Sequence, residues 1–175
     1  MRTLRIFPVF ALVVVSAIAQ DRPRKLTSDG QDLLSIAQTD HSLGMFVAAV
    51  HSSGLAKVLR EDGSLTVFAP SNQAFAGLHK DQLDSLLAHP SAMHLLLSRY
   101  IVRGTALPDD AARLSSARTL AGVKLRVDVR SEVAYVNGAK LSHEPVRCAN
   151  GVIYILNTVD PGLVRQALAV VRASQ

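Results

Sequence analysis

A chain of 175 residues with 49% hydrophobic and 19% charged residues has enough apolar side chains to offset the entropy of ordering, so it is not a disordered chain. Its single cysteine, Cys148, excludes a disulfide-stapled miniprotein, and its length is that of one domain burying roughly 70% of its unfolded surface. A net charge of +5, no tryptophan and 5% aromatic residues argue against a stacking platform for nucleic acid.

The first segment reads as an address. Arg2 and Arg5 precede an apolar run from Ile6 to Ala19 that ends in Ala17-Ile18-Ala19. Positive head, short apolar core and small residues at the −3 and −1 positions are the parts of a cleavable secretory signal peptide, residues 1–19. The alternative is a retained anchor, although the run is short of the about 20 apolar residues that span a bilayer. Cleavage removes Arg2 and Arg5 and no acid, lowering the charge from +5 to +3, a mild excess for acidic surfaces. Residues 20–31 form a polar tail holding the compact basic group Arg22, Arg24 and Lys25.

The folded part begins near Asp32. Leu33, Leu34, Ile36 and Ala37, then Leu43, Phe46, Val47 and Val50, recur at helical spacing up to Gly54, with further turns through Glu61. Leu65-Thr66-Val67-Phe68 reads as a strand between Gly63 and Pro70, and Ser71 as the N-cap of a short helix through Phe75. Leu83, Leu86 and Leu87 lie on one helix face, and Pro90 opens another helix holding Leu95, Leu96 and Leu97.

Strands then dominate. Tyr100-Ile101-Val102 is one, residues 107–114 hold a helical turn near Pro108 and Asp109, and Val123, Leu125, Val127 and Val129 alternate with charged residues as a half-buried strand. Val133 to Val136 pairs with it. Asn137-Gly138 and Asn150-Gly151 are tight-turn signals. Val152 to Leu156 is a last strand, and Pro161 opens a final helix with Val164, Ala167, Leu168 and Val171 on one face. Helices, a strand, more helices and a run of strands define an α+β chain with no internal repeat.

One block is more specific than any periodicity. Thr66-Val67-Phe68-Ala69-Pro70-Ser71-Asn72-Gln73-Ala74-Phe75 resembles the first hallmark segment of fasciclin-like (FAS1) domains. In register with it, Asp84-Ser85-Leu86-Leu87 and Pro90 resemble the family's leucine-rich helix, and Thr119-Leu120-Ala121-Gly122 its strand entry. Val136-Asn137-Gly138-Ala139-Lys140 resembles the central hairpin, and Asn150-Gly151-Val152-Ile153-Tyr154-Ile155-Leu156 the second hallmark. The resemblance implies a wedge of two antiparallel β-sheets with flanking α-helices over residues 32–161, followed by a C-terminal helix over 162–175. It also implies a non-enzymatic module used outside the cell for adhesion or for contact with matrix protein or polysaccharide. Four residues in two regions depart from the pattern. Arg99-Tyr100 stands where the family often has Tyr-His, near a region tied to integrin adhesion in animal relatives. Tyr154 and Asn157 replace a histidine and an aspartate.

The chemistry-bearing residues form no recognisable catalytic set. The six histidines, His41, His51, His79, His89, His94 and His143, share no metal-ligand spacing, and no cysteine-containing zinc pattern exists. Neither a Gly-x-Ser-x-Gly elbow nor a phosphate-binding glycine loop occurs. Asp109-Asp110 reads as a helix cap, and Cys148 as a buried small hydrophobe in an apolar strand, with a free thiol or an intermolecular disulfide as the alternative. The expectation is therefore a monomeric secreted or periplasmic adhesion module with no cofactor, no metal and no nucleic-acid partner. Its candidate partner-binding residues are Arg99, Tyr100 and Arg103, because tyrosine and arginine combine contact area with hydrogen bonding. The alternatives are a hydrolase-type enzyme on the same scaffold and a periplasmic carrier of a small apolar ligand. The hallmark segment itself reads as a structural corner, with Phe68 and Phe75 in the core.

Overall fold

The structure is a computed structural model that describes residues 30–61, 64–104, 118–130, 133–141 and 145–173. The signal-peptide and tail expectations, the helical turn over 107–114, Asp109-Asp110 and His143 lie outside these residues.

The first helical region is three helices rather than one. Helix α1 (Leu33–Thr39) ends at Asp40, which takes an extended conformation, and its carboxylate accepts from the Ser42 N–H at 2.8 Å to start a 3-10 turn over His41–Leu43. Helices α2 (Gly44–Ser52) and α3 (Ala56–Arg60) follow, with Gly54 between them at φ +74°, the left-handed stop that glycine tolerates best. Short polar side chains such as Asp40 compete with the helix for backbone N–H groups, a break that apolar spacing alone does not reveal.

Strand β1 (Leu65–Pro70) runs into α4 (Asn72–Ala76), whose N-cap is Ser71: its Oγ accepts from the Ala74 N–H at 3.2 Å. Helices α5 (Lys80–Ala88) and α6 (Pro90–Ser98) come next, the latter with Pro90 in its first turn. Strands β2 (Ile101–Arg103), β3 (Val127–Arg130), β4 (Val133–Val136), β5 (Ala139–Lys140), β6 (Val146–Cys148) and β7 (Gly151–Leu156) precede the final helix α7 (Pro161–Ala173). On α7, Val164, Ala167 and Leu168 are buried and the helix packs against α5 and α6.

The strands make two sheets, β2-β1-β7-β6 and β3-β4-β5, which bears out the α+β class. One detail of the expected wedge is corrected: the four-stranded sheet is mixed, not antiparallel. Strands β1 and β7 pair in parallel from Leu65↔Gly151 to Pro70↔Leu156. Both are buried along their whole length, as parallel strands covered on both faces must be. The second correction concerns the alternating segment. Regular pairing begins only at Val127, and Val123 is 40% exposed. The Thr119-Leu120-Ala121-Gly122 segment is a turn that returns on β2, with the Leu120 N–H donating to the Ile101 carbonyl at 2.8 Å. At the tip of the β4–β5 hairpin, Asn137 and Gly138 have φ of +51° and +81°, as a two-residue primed turn requires.

The second tight-turn signal is displaced by one residue. Cys148 pairs with Gly151, so the loop is Ala149-Asn150 and Gly151 is the first residue of β7. Asn150 turns its side chain inward. Its Oδ1 accepts from the Leu33 N–H at 2.8 Å, and its Nδ2 donates to the carbonyls of Leu59 at 2.9 Å and Glu61 at 3.1 Å. One amide thus satisfies an orphan N–H at the start of α1 and an orphan carbonyl at the end of α3. Asn150→Asp keeps the shape but puts a carboxylate against two carbonyls. Urea denaturation should show a loss of about 1–3 kcal/mol, and an unchanged midpoint would mean the amide is dispensable.

Candidate functional site at the α6–β2 edge

The three candidate residues lie where α6 gives way to β2, and the structure separates them. Arg99 closes α6 in helical conformation. It is half-buried, and its guanidinium donates to Gln166 Oε1 on α7 at 2.7 Å. Arg103 is exposed at the far end of β2, opposite Leu65 in the sheet register. Four residues of extended chain span up to about 13 Å, so the two arginines mark the ends of an edge and do not form one cluster.

Tyr100 does not belong to that edge, which corrects its assignment as a contact residue. Its exposure is 0%, and its hydroxyl accepts from the Asp160 N–H at 3.2 Å. Burial pushes the phenol up to about 12, while the Asp160 N–H pulls the other way. The ring is large enough to fill the core and its polar tip needs one partner there. Strand alternation leaves open which face a lone tyrosine takes; the partner at Asp160, sixty residues on, decides it.

Two polar residues of the first hallmark segment are similarly committed to the fold. Thr66 Oγ1 donates to the Gly104 carbonyl at 2.7 Å. Asn72 Oδ1 accepts from the Met45 N–H at 2.8 Å while its Nδ2 donates to the His41 carbonyl at 2.9 Å, which fastens α4 to the start of α2. Phe68 and Tyr154 stack at 5.3 Å across the parallel pair.

A cleft of about 440 Å³ opens where β1 and β7 end, lined by residues that include Gly77, Asn137, Gly138, Asn157, Thr158 and Asp160. It is formed because the Leu141–Leu156 bridge brings the β4–β5 hairpin against the end of β7. Asn137 Oδ1 already accepts from the Arg126 N–H at 3.2 Å, and Asp160 Oδ1 from the Gly162 N–H at 2.7 Å. Asn157 and Thr158 are exposed at its rim, so the cleft offers neutral hydrogen-bonding groups beside the one carboxylate of Asp160. Sequence reasoning singled out Asn137 and Asn157 separately; no signal in the sequence places them in one cleft.

His89, just before α6, and His94, within it, go to different carbonyls: His89 Nδ1 lies 2.7 Å from the Ser85 oxygen and His94 Nδ1 2.9 Å from the Ser53 oxygen. Each ring nitrogen there donates. No group of three or more His, Cys, Asp or Glu among the described residues could hold a metal ion. No helix among them is long and apolar enough to cross a membrane.

Cys148 is half-buried, and its thiol points at the Val146 carbonyl at 3.7 Å. Burial first, and the Asp32 carboxylate second, push the thiol up to about 12 from 9.0. The thiolate is the reactive form, so a disulfide-exchange reagent at pH 8 should modify native protein far more slowly than protein in urea. Equal rates would place the thiol in solvent. The folded state holds this proton more tightly than the unfolded one. The stabilisation is therefore complete below pH 9 and is lost as pH rises towards 12.

Comparison with known proteins agrees with this architecture. The family model described as Fasciclin domain matches residues 41–159, and the chain belongs to the fasciclin domain family. The chain is similar to the transforming growth factor-beta-induced protein ig-h3 of Sus scrofa, with 29% identity over 136 residues, 78% of this chain and 20% of that one. It is also similar to protein sll1483 of Synechocystis, at 31% identity over 76% of this chain and 74% of that one. The immunogenic protein MPB70 of Mycobacterium bovis is 29% identical over 55% of this chain and 49% of its own length. The chain therefore spans about a fifth of the first of these relatives. Among solved structures, a FAS1 domain pair from the insect cell adhesion molecule Fasciclin I matches with a TM-score of 0.67 at 15% identity, over 77% of this chain and 52% of that one. That match carries the fold.

Proposed function

We propose that this chain is a non-enzymatic FAS1 module for adhesion to a cell surface or matrix, with a polysaccharide or protein as partner. It acts as a monomer outside the cytoplasm, secreted or periplasmic, after export on the cleavable segment 1–19. The carrying observation is where the hallmark polar groups go. Thr66, Ser71, Asn72 and Asn150 all spend hydrogen bonds on the backbone of the fold itself, and Tyr100, outside the hallmark segments, does the same. Recognition is then left to surface side chains, among them Arg99 and Arg103 at the α6–β2 edge. The extracellular setting is supported by the charged head and Ala-x-Ala end of the leader, and adhesion by the likeness to the insect cell adhesion molecule.

The test is a panel of immobilised polysaccharides and matrix proteins probed with protein lacking residues 1–19. A defined subset should retain the protein, and Arg99→Ala or Arg103→Ala, checked for folding by circular dichroism, should weaken retention. Unchanged retention by both folded variants removes this edge, and no retention on any surface removes the adhesion reading.

A further inference from the structure

Helices α5 and α7 lie side by side, and a groove of about 630 Å³ follows their seam, lined by Gln82, Arg165, Leu168, Ala169, Arg172 and Ala173. Arg165 and Arg172 are seven residues, or two turns, apart, so they rise from one face of α7 about 10 Å apart along its axis. Both are exposed. The nearby acids of α5, Asp81 and Asp84, are exposed too, and no carboxylate among the described residues pairs with either arginine. Leu168 and Ala169 lie between the charges as an apolar floor. On the α5 wall, Gln82 Oε1 is buried and has no hydrogen-bond donor.

We propose that this groove docks an acidic polysaccharide, with uronate carboxylates on Arg165 and Arg172 and a sugar hydroxyl donating to Gln82 Oε1 once that unpartnered amide turns out of the α5–α7 seam. The inference rests on the proposed surface-binding function and names the ligand class for it. A guanidinium presents a planar fork of donors that fits a carboxylate in a bidentate pair. Two forks this far apart are not bridged by one small anion; an extended chain with repeated charges reaches both. The amide oxygen adds what charge alone does not require, namely an acceptor for a sugar hydroxyl. A uronate polymer carries both groups on every residue. The groove lining has no aromatic ring, so it lacks the stacking surface that single-stranded nucleic acid uses.

The experiment measures affinity of the protein for polygalacturonate, for its methyl ester and for linear polyphosphate at fixed low salt. Wild type should bind polygalacturonate, and esterification, which removes the charge and keeps the hydroxyls, should abolish binding. Arg165→Gln combined with Arg172→Gln should weaken it at least about tenfold through loss of two charge-assisted contacts, while Arg60→Gln, at an exposed arginine of α3, leaves it unchanged. Gln82→Leu should weaken polygalacturonate and leave polyphosphate as it was. Equal binding by the double variant, or a Gln82→Leu effect identical on both polymers, overturns the proposal. So does tighter binding to anionic vesicles or polyphosphate than to polygalacturonate. Retention on a matrix-protein surface without polygalacturonate binding overturns the groove alone; no retention anywhere overturns the adhesion reading with it.

Discussion

Replacing Phe68 by alanine should cost about 3–5 kcal/mol, the range for removing a fully buried aromatic ring. Phe68 is 0% exposed at the centre of β1, and its ring stacks on Tyr154 of β7 at an interplanar angle of 20°. The substitution therefore removes apolar burial, leaves a cavity between two central strands and deprives Tyr154 of its neighbour. Phe75, 1% exposed on α4, should behave similarly. Domains are stable by only about 5–15 kcal/mol in total, so each variant should show a large fall in urea midpoint with an unchanged slope. A loss below about 1 kcal/mol in either variant would contradict the burial on which the hallmark corner rests.

Gly151→Ala should be as damaging, for a different reason. A β-carbon at this position would collide with the backbone carbonyl of Leu65 on the parallel neighbour, which cannot swing aside as a side chain can. Relief requires β1 and β7 to part at the end where the Leu65 N–H donates to the Asn150 carbonyl at 3.1 Å. A loss of about 4–5 kcal/mol belongs to the exceptional class of single substitutions. Gly138 is the control. It has φ +81° but nothing within 4 Å of its would-be β-carbon, so alanine there meets only backbone strain of about 1–2 kcal/mol. Thermal unfolding of the pair separates the two causes, and equal losses would contradict the close-approach account.

The sequence carried much of this fold because its signals are local. Ser71 caps, Pro90 opens a helix, Asn137-Gly138 turns a hairpin, and the hallmark block places them all on one scaffold. Its silences concern partners far along the chain. Nothing near Leu65 or Gly151 says that they pair in parallel. Val123 alternates as a buried strand residue would, yet the chain turns at Gly122 and leaves it exposed. Asn150 reads as a turn residue, and its amide bonds to groups 91 and 117 positions away were invisible. The same limit explains the candidate edge. Arg99 and Arg103 reach the surface, whereas Tyr100 is drawn inward by a backbone N–H at Asp160. The arginines of α7 were equally plain in the sequence, but their relation to Gln82 exists only once two helices are packed together.

The parallel alignment of β1 with β7 also governs when the sheet can form. Strand β1 is complete by Pro70, and the partner it needs ends at Leu156. A nascent or half-threaded chain thus holds β1 with β2 on one side and a bare edge of unpaired backbone groups on the other. Such an edge is a template for pairing with another molecule, and contacts this distant in sequence close slowly. A chain cut before Gly151 should therefore associate rather than remain a smaller soluble unit. The last 25 of the 175 residues act as the internal cover that keeps one copy from adding to the next.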